Sequence, residues 1–195
     1  MAIEKNKSEK MADIVLTNGA TVAKLFGVQC PASAVLGVIV DSIKERRSRK
    51  HIDRLENLIL SVEERVKRLE ISESYTPDVD LFDEIVAKAI SDEDEGKIEF
   101  YAALIEYCIS QKTDPYEIRL LSNSLQQLTV YEINAFYDFA VNENVKWGIP
   151  KQLEEILWNR VEGLGLYSGS IKYSRNTTII GKKFLKIIAL AKTTQ

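Results

Sequence analysis

The feature that most constrains this chain is an uncharged stretch of 16 residues, Leu25–Val40, near the start of a sequence of 195 residues. A transmembrane helix needs about 20 apolar residues, and Pro31 near the middle of the stretch would kink a helix. Small residues such as Gly27 and Gly37 would allow close helix packing. Three interpretations stay open: a buried hairpin in a helical core, insertion into a membrane, or packing against a partner or a second copy.

The wider apolar segment, residues 19–43, is followed at once by a basic cluster. The candidate contacts to a membrane or partner are Leu25, Phe26, Val28, Val35, Leu36, Val38, Ile39 and Val40, and the basic residues are Lys44, Arg46, Arg47, Arg49 and Lys50. This order is typical of the cytoplasmic side of a membrane or of a contact with anionic lipid. Residues 1–18 are polar, fit a signal peptide poorly and are predicted to be a flexible arm. We expect a cytoplasmic protein, either wholly so or peripheral to the inner face of the membrane.

Residues 51–70 carry a short apolar seam with the spacing of a heptad. The seam consists of Ile52, Leu55, Ile59, Val62, Val66 and Leu69, with charged flanks that include Arg54 and Arg65. The spacing predicts a long helix from about Ala34 or Asp41 to Glu70. Because the seam spans less than three heptads, two alternatives stay open: packing inside a bundle of the same chain, or a seam between copies.

The charge is unevenly distributed along the chain. Residues 71–118 carry 3 basic against 13 acidic residues, whereas residues 169–195 carry 6 basic residues and no acidic residue. We expect these segments to attract each other in the fold or in an oligomer; the alternative is a basic surface for phosphate or an anionic membrane.

Two amphipathic helices are predicted in the acidic part, over residues 78–90 and 98–109. The acidic run after Ser91 fails as an EF-hand loop, since Lys97 and Ala103 stand where Gly and Glu are needed. We therefore predict that Ser91 is a helix N-cap with acids in the first turn.

Catalytic and metal-binding motifs are not evident. His51 is the single histidine, and Cys30 and Cys108 lie in apolar runs, where we expect buried free thiols. The sequence has no Walker A, HExxH or GxSxG motif. We predict a protein that is not an enzyme and that uses neither a metal nor a cofactor.

The period of the apolar pattern changes in the last third of the chain. Helices are predicted over residues 116–128, 130–141 and 150–164, strand-like runs over 166–173 and 176–180, and a helix over 181–190. The segments Leu164-Gly-Leu-Tyr167 and Thr178-Ile-Ile-Gly-Lys-Lys-Phe-Leu185 resemble the end of the last helix and the element after the wing of winged-helix domains.

The winged-helix resemblance implies a module that binds either another protein or DNA. The helix before the hairpin carries Glu154, Glu155 and Glu162, and a net acidic helix is disfavoured in the groove of DNA. The candidate nucleic-acid contacts are therefore in and after the hairpin: Lys172, Tyr173, Arg175, Lys182 and Lys183. We favour protein interaction, with DNA binding as the alternative.

A second resemblance covers roughly residues 34–110. The basic helix with its seam, followed by Leu81-Phe-Asp-Glu-Ile85 and Glu95-Gly-Lys-Ile-Glu-Phe-Tyr-Ala-Ala-Leu-Ile105, resembles bacterial helical proteins of the abortive-infection alpha type. That resemblance implies a bacterial protein of phage defence that acts on membranes or senses phage components. It transfers no catalytic residue.

These observations predict a mainly α fold, with a long N-terminal helix on a helical bundle and a small C-terminal winged-helix-like lobe that carries one β-hairpin. The expected parts are the arm (1–18), the apolar segment (19–43), a helical region (44–110) and the lobe (111–195). The predicted function is a non-enzymatic interaction protein whose apolar segment engages a membrane or a partner. The alternatives are a DNA-binding regulator and a soluble homo-oligomeric scaffold.

Overall fold

The structure is a computed structural model that describes residues 49–69, 78–111, 113–141, 151–168 and 176–193. This part of the chain is mainly α-helical, as predicted. Its elements are α1 (Arg49–Val66), α2 (Val79–Ser91), a 3-10 turn (Glu95–Lys97), α3 (Ile98–Ser110), α4 (Pro115–Gln127), α5 (Val130–Val141), α6 (Lys151–Gly163), β1 (Tyr167–Ser168), β2 (Asn176–Thr177) and α7 (Ile179–Lys192). The predictions for the arm, the apolar segment, Lys44, Arg46 and Arg47 lie outside the described residues.

The chain divides into two compact units, Met1–Thr113 and Asp114–Gln195. In the N-terminal unit α3 is the central helix, and both α1 and α2 pack against it. All but three residues of α3 are buried; Glu99 and Glu106 are half-buried and Ser110 is exposed. A helix that is apolar nearly all round needs neighbours on several sides, which α1 and α2 provide here.

Helix α2 begins where the sequence predicts. The side chain of Asp78 caps it by accepting a hydrogen bond of 3.1 Å from the amide of Leu81. The predicted apolar stripe is buried: Leu81, Phe82, Ile85, Val86, Ala89 and Ile90. Sequence and structure agree here because cap and period are both local signals.

The predicted N-cap at Ser91 is wrong. Ser91 is the last residue of α2, and its hydroxyl donates to the carbonyl of Lys88 at 3.1 Å. Asp94 is the cap instead, since its carboxylate accepts a hydrogen bond of 3.2 Å from the amide of Gly96 at the start of the 3-10 turn. Ser and Asp are both good caps, so composition alone does not choose between them.

The seam of α1 is partly enclosed within its own unit. Leu58 and Val62 are 0% exposed and Val66 is 2% exposed. Val62 and Val66 are thus enclosed by their own chain, which favours packing inside the bundle over a seam between copies at these two positions. Leu58, Val62 and Val66 are four residues apart, so they lie on one face of the helix.

The other seam residues are less enclosed. Ile59 and Leu69 are half-buried, and the side chains of Ile52 and Leu55 lie outside the described residues. Helix α1 ends at Val66 rather than at the predicted Glu70. The amides of Arg68 and Leu69 each bond to a carbonyl three residues back, at 3.1 Å, so the chain tightens into a turn as it leaves the helix.

The C-terminal unit is built around aromatic side chains. Asp114 caps α4 and Pro115 occupies its first turn. Phe139 of α5 stacks edge-on against Trp158 of α6, with ring centroids 4.2 Å apart, and the rings of Trp158 and Tyr167 lie 5.0 Å apart. These rings join α5, α6 and β1 within the unit.

The two strands form an antiparallel pair in which Tyr167 faces Thr177 and Ser168 faces Asn176. The predicted strand over residues 176–180 is too long, because Thr178 caps a helix at that point. Its hydroxyl accepts from the amide of Gly181 at 2.9 Å and donates to the carbonyl of Gly165 at 2.6 Å. The β-branched pair at 179–180 has high strand propensity, but the cap prevails.

Candidate functional site

The most deeply buried cation of the described chain is Arg65 on α1, which is 1% exposed. Its guanidinium donates to carboxylate oxygens of Glu99 and Glu106 on α3, each at 2.9 Å. The hydroxyl of Ser61 donates to the same oxygen of Glu99 at 2.8 Å and accepts from Nε of Arg65 at 3.4 Å. We call these four residues the Arg65 network.

Helix periodicity explains why the four residues meet. Ser61 and Arg65 are four apart on α1, and Glu99 and Glu106 are seven apart on α3, so each pair lies on one helix face. The face of α1 that carries Leu58 and Val62 therefore also carries two polar groups. The result is a charged contact inside an otherwise apolar helix interface.

The Arg65 network holds charge rather than moving protons. A buried ion is costly unless it is paired and hydrogen-bonded, and Arg65 has two carboxylates and a hydroxyl around it. A guanidinium does not release its proton under any condition in which the protein is folded. The network holds α1 against α3 by ion pairs. Because the guanidinium is planar, these ion pairs also fix the orientation of α1 relative to α3.

A second buried cluster lies at the junction of α2 and α3. Asp92 is 8% exposed, Lys97 3% and Tyr101 0%. One oxygen of Asp92 accepts from the ammonium of Lys97 at 2.8 Å and from the hydroxyl of Tyr101 at 3.0 Å, and the other accepts from the amide of Asp94 at 3.1 Å. We call Asp92, Lys97 and Tyr101 the Asp92 cluster.

The environment of Tyr101 keeps its phenol neutral. Burial raises the pKa of Tyr101 far above its ordinary value, and the negative charge of Asp92 and the hydrogen bond to it act in the same direction. Tyr101 is therefore a fixed hydrogen-bond donor to Asp92. Because that oxygen also accepts from Lys97, the cluster closes the turn between α2 and α3.

Neither the Arg65 network nor the Asp92 cluster is predicted from the sequence. Arg65 was expected among the charged flanks of α1, whereas it is buried between Val62 and Val66. A usable signal existed: Ser61 and Arg65 share a helix face with Leu58 and Val62, and a polar pair inside an apolar stripe needs partners from another element. Nothing in the local pattern identifies Glu99 and Glu106 as those partners.

The candidate nucleic-acid contacts are divided between described and other residues. Lys182 is exposed at the start of α7, while the side chains of Lys172, Tyr173 and Arg175 lie outside the described residues. Lys183 forms an ion pair with Glu117 of α4. Lys183 was predicted to contact nucleic acid, whereas in the structure it contacts a carboxylate of its own chain.

Helix α6 exposes both acidic and basic residues, and its exposed arginine is paired with a carboxylate. Glu155 and Glu162 are exposed, and the guanidinium of Arg160 donates to Glu132 at 2.7 Å and to the carbonyl of Gln127. This arrangement leaves α6 poorly suited to the major groove of DNA, since phosphates repel its carboxylates.

Within the described residues, no group of three or more His, Cys, Asp or Glu side chains is placed to hold a metal ion. No helix among residues 49–69, 78–111, 113–141, 151–168 and 176–193 combines the length and the apolar character that crossing a bilayer requires. Cys108 is a buried free thiol, as predicted, and burial raises its pKa to about 12. Cys30 lies outside the described residues.

Comparison of this chain with protein-family models, with curated proteins and with solved structures found no match.

Proposed function

We propose that this chain is a non-enzymatic interaction protein in which residues 19–43 engage a membrane or a partner and α1 connects that contact to α3. The observation that carries the proposal is the Arg65 network. It fastens α1 to α3 through two ion pairs of 2.9 Å with a cation that is 1% exposed. Such a contact resists sliding of α1 along α3, because a shift of one residue separates the charges.

The charge pattern supports the same proposal. The basic residues Lys44, Arg46, Arg47, Arg49 and Lys50 follow the apolar segment in the sequence, and the last two belong to the first turn of α1; they suit anionic lipid headgroups or an acidic partner. The resemblance to the abortive-infection alpha type extends the proposal to phage defence in bacteria. In that setting α1 transmits an event at the apolar segment to the helices that follow.

Flotation with vesicles tests the proposal. We expect the full chain to float with vesicles of phosphatidylglycerol and phosphatidylcholine but not with phosphatidylcholine alone, and a 19–43 deletion to stay at the bottom. A deletion of residues 1–18 is the matched control and should float. Circular dichroism of both deletions checks that the helical units are still folded.

The same samples separate the two kinds of contact. If the full chain does not float but forms a larger assembly than the 19–43 deletion by light scattering, the segment engages protein rather than lipid. If the full chain and the deletion behave alike in both measurements, the proposal is wrong.

DNA binding by the C-terminal unit is the second candidate, favoured by one observation. Lys182 and Lys186 are exposed and four residues apart on one face of α7, directly after the strand pair. Binding of duplex DNA measured by anisotropy should then weaken steeply with salt, and Lys172→Glu with Arg175→Glu should weaken it further. Tight binding that survives both changes would exclude contact through the hairpin.

A further inference from the structure

Arg54 lies on α1, eleven residues before Arg65, and its guanidinium is bonded quite differently. Its Nε and Nη2 atoms are both buried, and neither has a hydrogen-bond partner within the part of the chain that the structure describes. Buried guanidinium nitrogens normally find an acceptor, because the desolvated charge is otherwise uncompensated. Arg54 is thus an exception that needs a physical explanation.

The identity of the two nitrogens is informative. Nε and Nη2 share one edge of the planar guanidinium, and their N–H bonds point the same way. This edge is the one that binds both oxygens of a carboxylate or phosphate through two parallel hydrogen bonds. A packing defect would leave one nitrogen unsatisfied, whereas here the complete edge is unoccupied.

The Asp92 cluster does not supply the missing acceptor. Arg54 acts on Tyr101, since its positive charge lowers the pKa of that phenol against the larger effects of burial and of Asp92, which raise it. The carboxylate of Asp92, in the same surroundings, already accepts hydrogen bonds from Lys97 and Tyr101. The Asp92 cluster therefore leaves the edge of Arg54 to another oxyanion.

We propose that Arg54 is the binding site of an oxyanion ligand, a carboxylate or a phosphate, held by Nε and Nη2 together. Both nitrogens are closed to solvent, so the groups that cover them move aside when the ligand enters. Once bound, the ligand neutralises the guanidinium and stabilises the folded chain. The site does not depend on the membrane or partner contact proposed above.

Thermal unfolding of the full chain with inorganic phosphate or acetate tests this site against sodium chloride at equal ionic strength. Chloride is a single atom and does not bridge both nitrogens. We expect at least one oxyanion to raise the Tm by about 3 °C at about 10 mM, because a ligand that binds only the folded state stabilises it. A larger effect of phosphate indicates a phosphoryl ligand, and a larger effect of acetate indicates a carboxylate.

Three variants assign the effect to Arg54. Arg54→Met should lose the rise, and Arg54→Lys should lose most of it, because an ammonium keeps the charge but not the two-pronged edge. Arg68→Met removes an exposed arginine 3.8 Å from Glu64 and should keep the full rise. Since Arg54→Met also removes an unpaired buried charge, its Tm without ligand should equal or exceed that of the natural chain.

The proposal is overturned if neither oxyanion raises the Tm of the natural chain, or if Arg54→Lys and Arg54→Met respond as it does. If Arg54→Met does not fold, isothermal titration calorimetry of phosphate and acetate with the natural chain and with Arg54→Lys tests the site instead. Equal heats from the two proteins would exclude the site.

Discussion

The two units of this protein bury different kinds of polar side chain. Among the described residues, the buried charged side chains (Arg65, Asp92 and Lys97) all belong to the N-terminal unit. The buried polar side chains described in the C-terminal unit are Ser122 and Ser124, each bonded to a carbonyl one helical turn back along its own helix. Its ion pairs, such as Arg160 with Glu132, involve more exposed side chains.

This difference concerns specificity as much as stability. Aromatic rings pack in several favourable geometries, so a core such as that around Phe139 and Trp158 tolerates small shifts. An ion pair in a low-dielectric interior is directional, and misplacing one partner leaves a charge unpaired. The N-terminal unit is therefore expected to accept one pairing of α1 with α3, whereas the C-terminal unit should adapt more readily.

The largest expected loss in the free energy of unfolding is that caused by Arg65→Met. This change keeps most of the side-chain length but leaves the carboxylates of Glu99 and Glu106 without their shared cation. Breaking a fully buried ion pair by removing one partner typically costs about 3–5 kcal/mol, and we expect the lower end of that range, about 3 kcal/mol, because both carboxylates keep some solvent exposure. Urea unfolding followed by circular dichroism measures the loss, and Phe139→Leu, the control in the aromatic core, should cost only about 1–2 kcal/mol.

A further variant distinguishes lost pairing from lost packing. Adding Glu99→Gln and Glu106→Gln to Arg65→Met removes the uncompensated carboxylates and should restore much of the stability. If Arg65→Met costs no more than Phe139→Leu, the distinction between a directional and an adaptable interior is wrong.

The second expected effect tests how far the C-terminal unit adapts. Gly181 lies at the start of α7, where a Cβ would be 1.9 Å from the carbonyl oxygen of Leu166 and 2.7 Å from Cγ2 of Thr177. Gly181→Ala must therefore push α7 away from the strand pair, at a cost of about 2–3 kcal/mol. The matched control is Gly163→Ala, whose Cβ would meet nothing within 4 Å.

Thermal unfolding of the two glycine variants gives the comparison. A large fall in Tm for Gly181→Ala alone confirms the close approach at Leu166. Equal and small changes in both variants would mean that the C-terminal unit shifts its helix at almost no cost, which would extend its adaptability from aromatic rings to backbone contacts.

Local signals made parts of this fold predictable from the sequence. Asp78 and Asp114 cap the helices that follow them, and Pro115 marks a first turn, because these interactions involve residues two to four positions apart. The apolar stripe of α2 likewise follows from periodicity alone. The helix over residues 98–109 is recognisable for the same reason.

The candidate site was not predictable by these means. The Arg65 network joins residues 34 to 41 positions apart, and no local pattern encodes which carboxylates meet the guanidinium. The strand predicted over residues 176–180 was wrong for a different reason. Ile179 and Ile180 favour a strand by propensity, while Thr178 stabilises a helix by capping. Tertiary contacts at Gly181 then favour the helix, and such contacts lie beyond single-sequence reasoning.

The smallest of these effects is expected for Tyr101→Phe, which keeps the ring and removes one hydrogen bond of 3.0 Å to Asp92. Lys97 remains to pair the carboxylate, so the free energy of unfolding should fall by only about 1.5 kcal/mol. Tyr116→Phe, at a side chain that is 66% exposed, is the control and should leave stability unchanged.

The difference in the free energy of unfolding between the natural chain and Tyr101→Phe should depend on pH, and this dependence shows whether the buried phenol is its cause. In the unfolded chain Tyr101 ionises near pH 10, whereas burial and Asp92 keep its pKa higher in the folded chain. The folded state then binds the proton more tightly, so the stability from Tyr101 is complete below pH 10 and declines as the pH rises further. Urea unfolding between about pH 8 and 11 should show the natural chain losing its advantage over Tyr101→Phe. A constant difference across that range would mean that the phenol ionises equally in both states and that the Asp92 cluster is open to water.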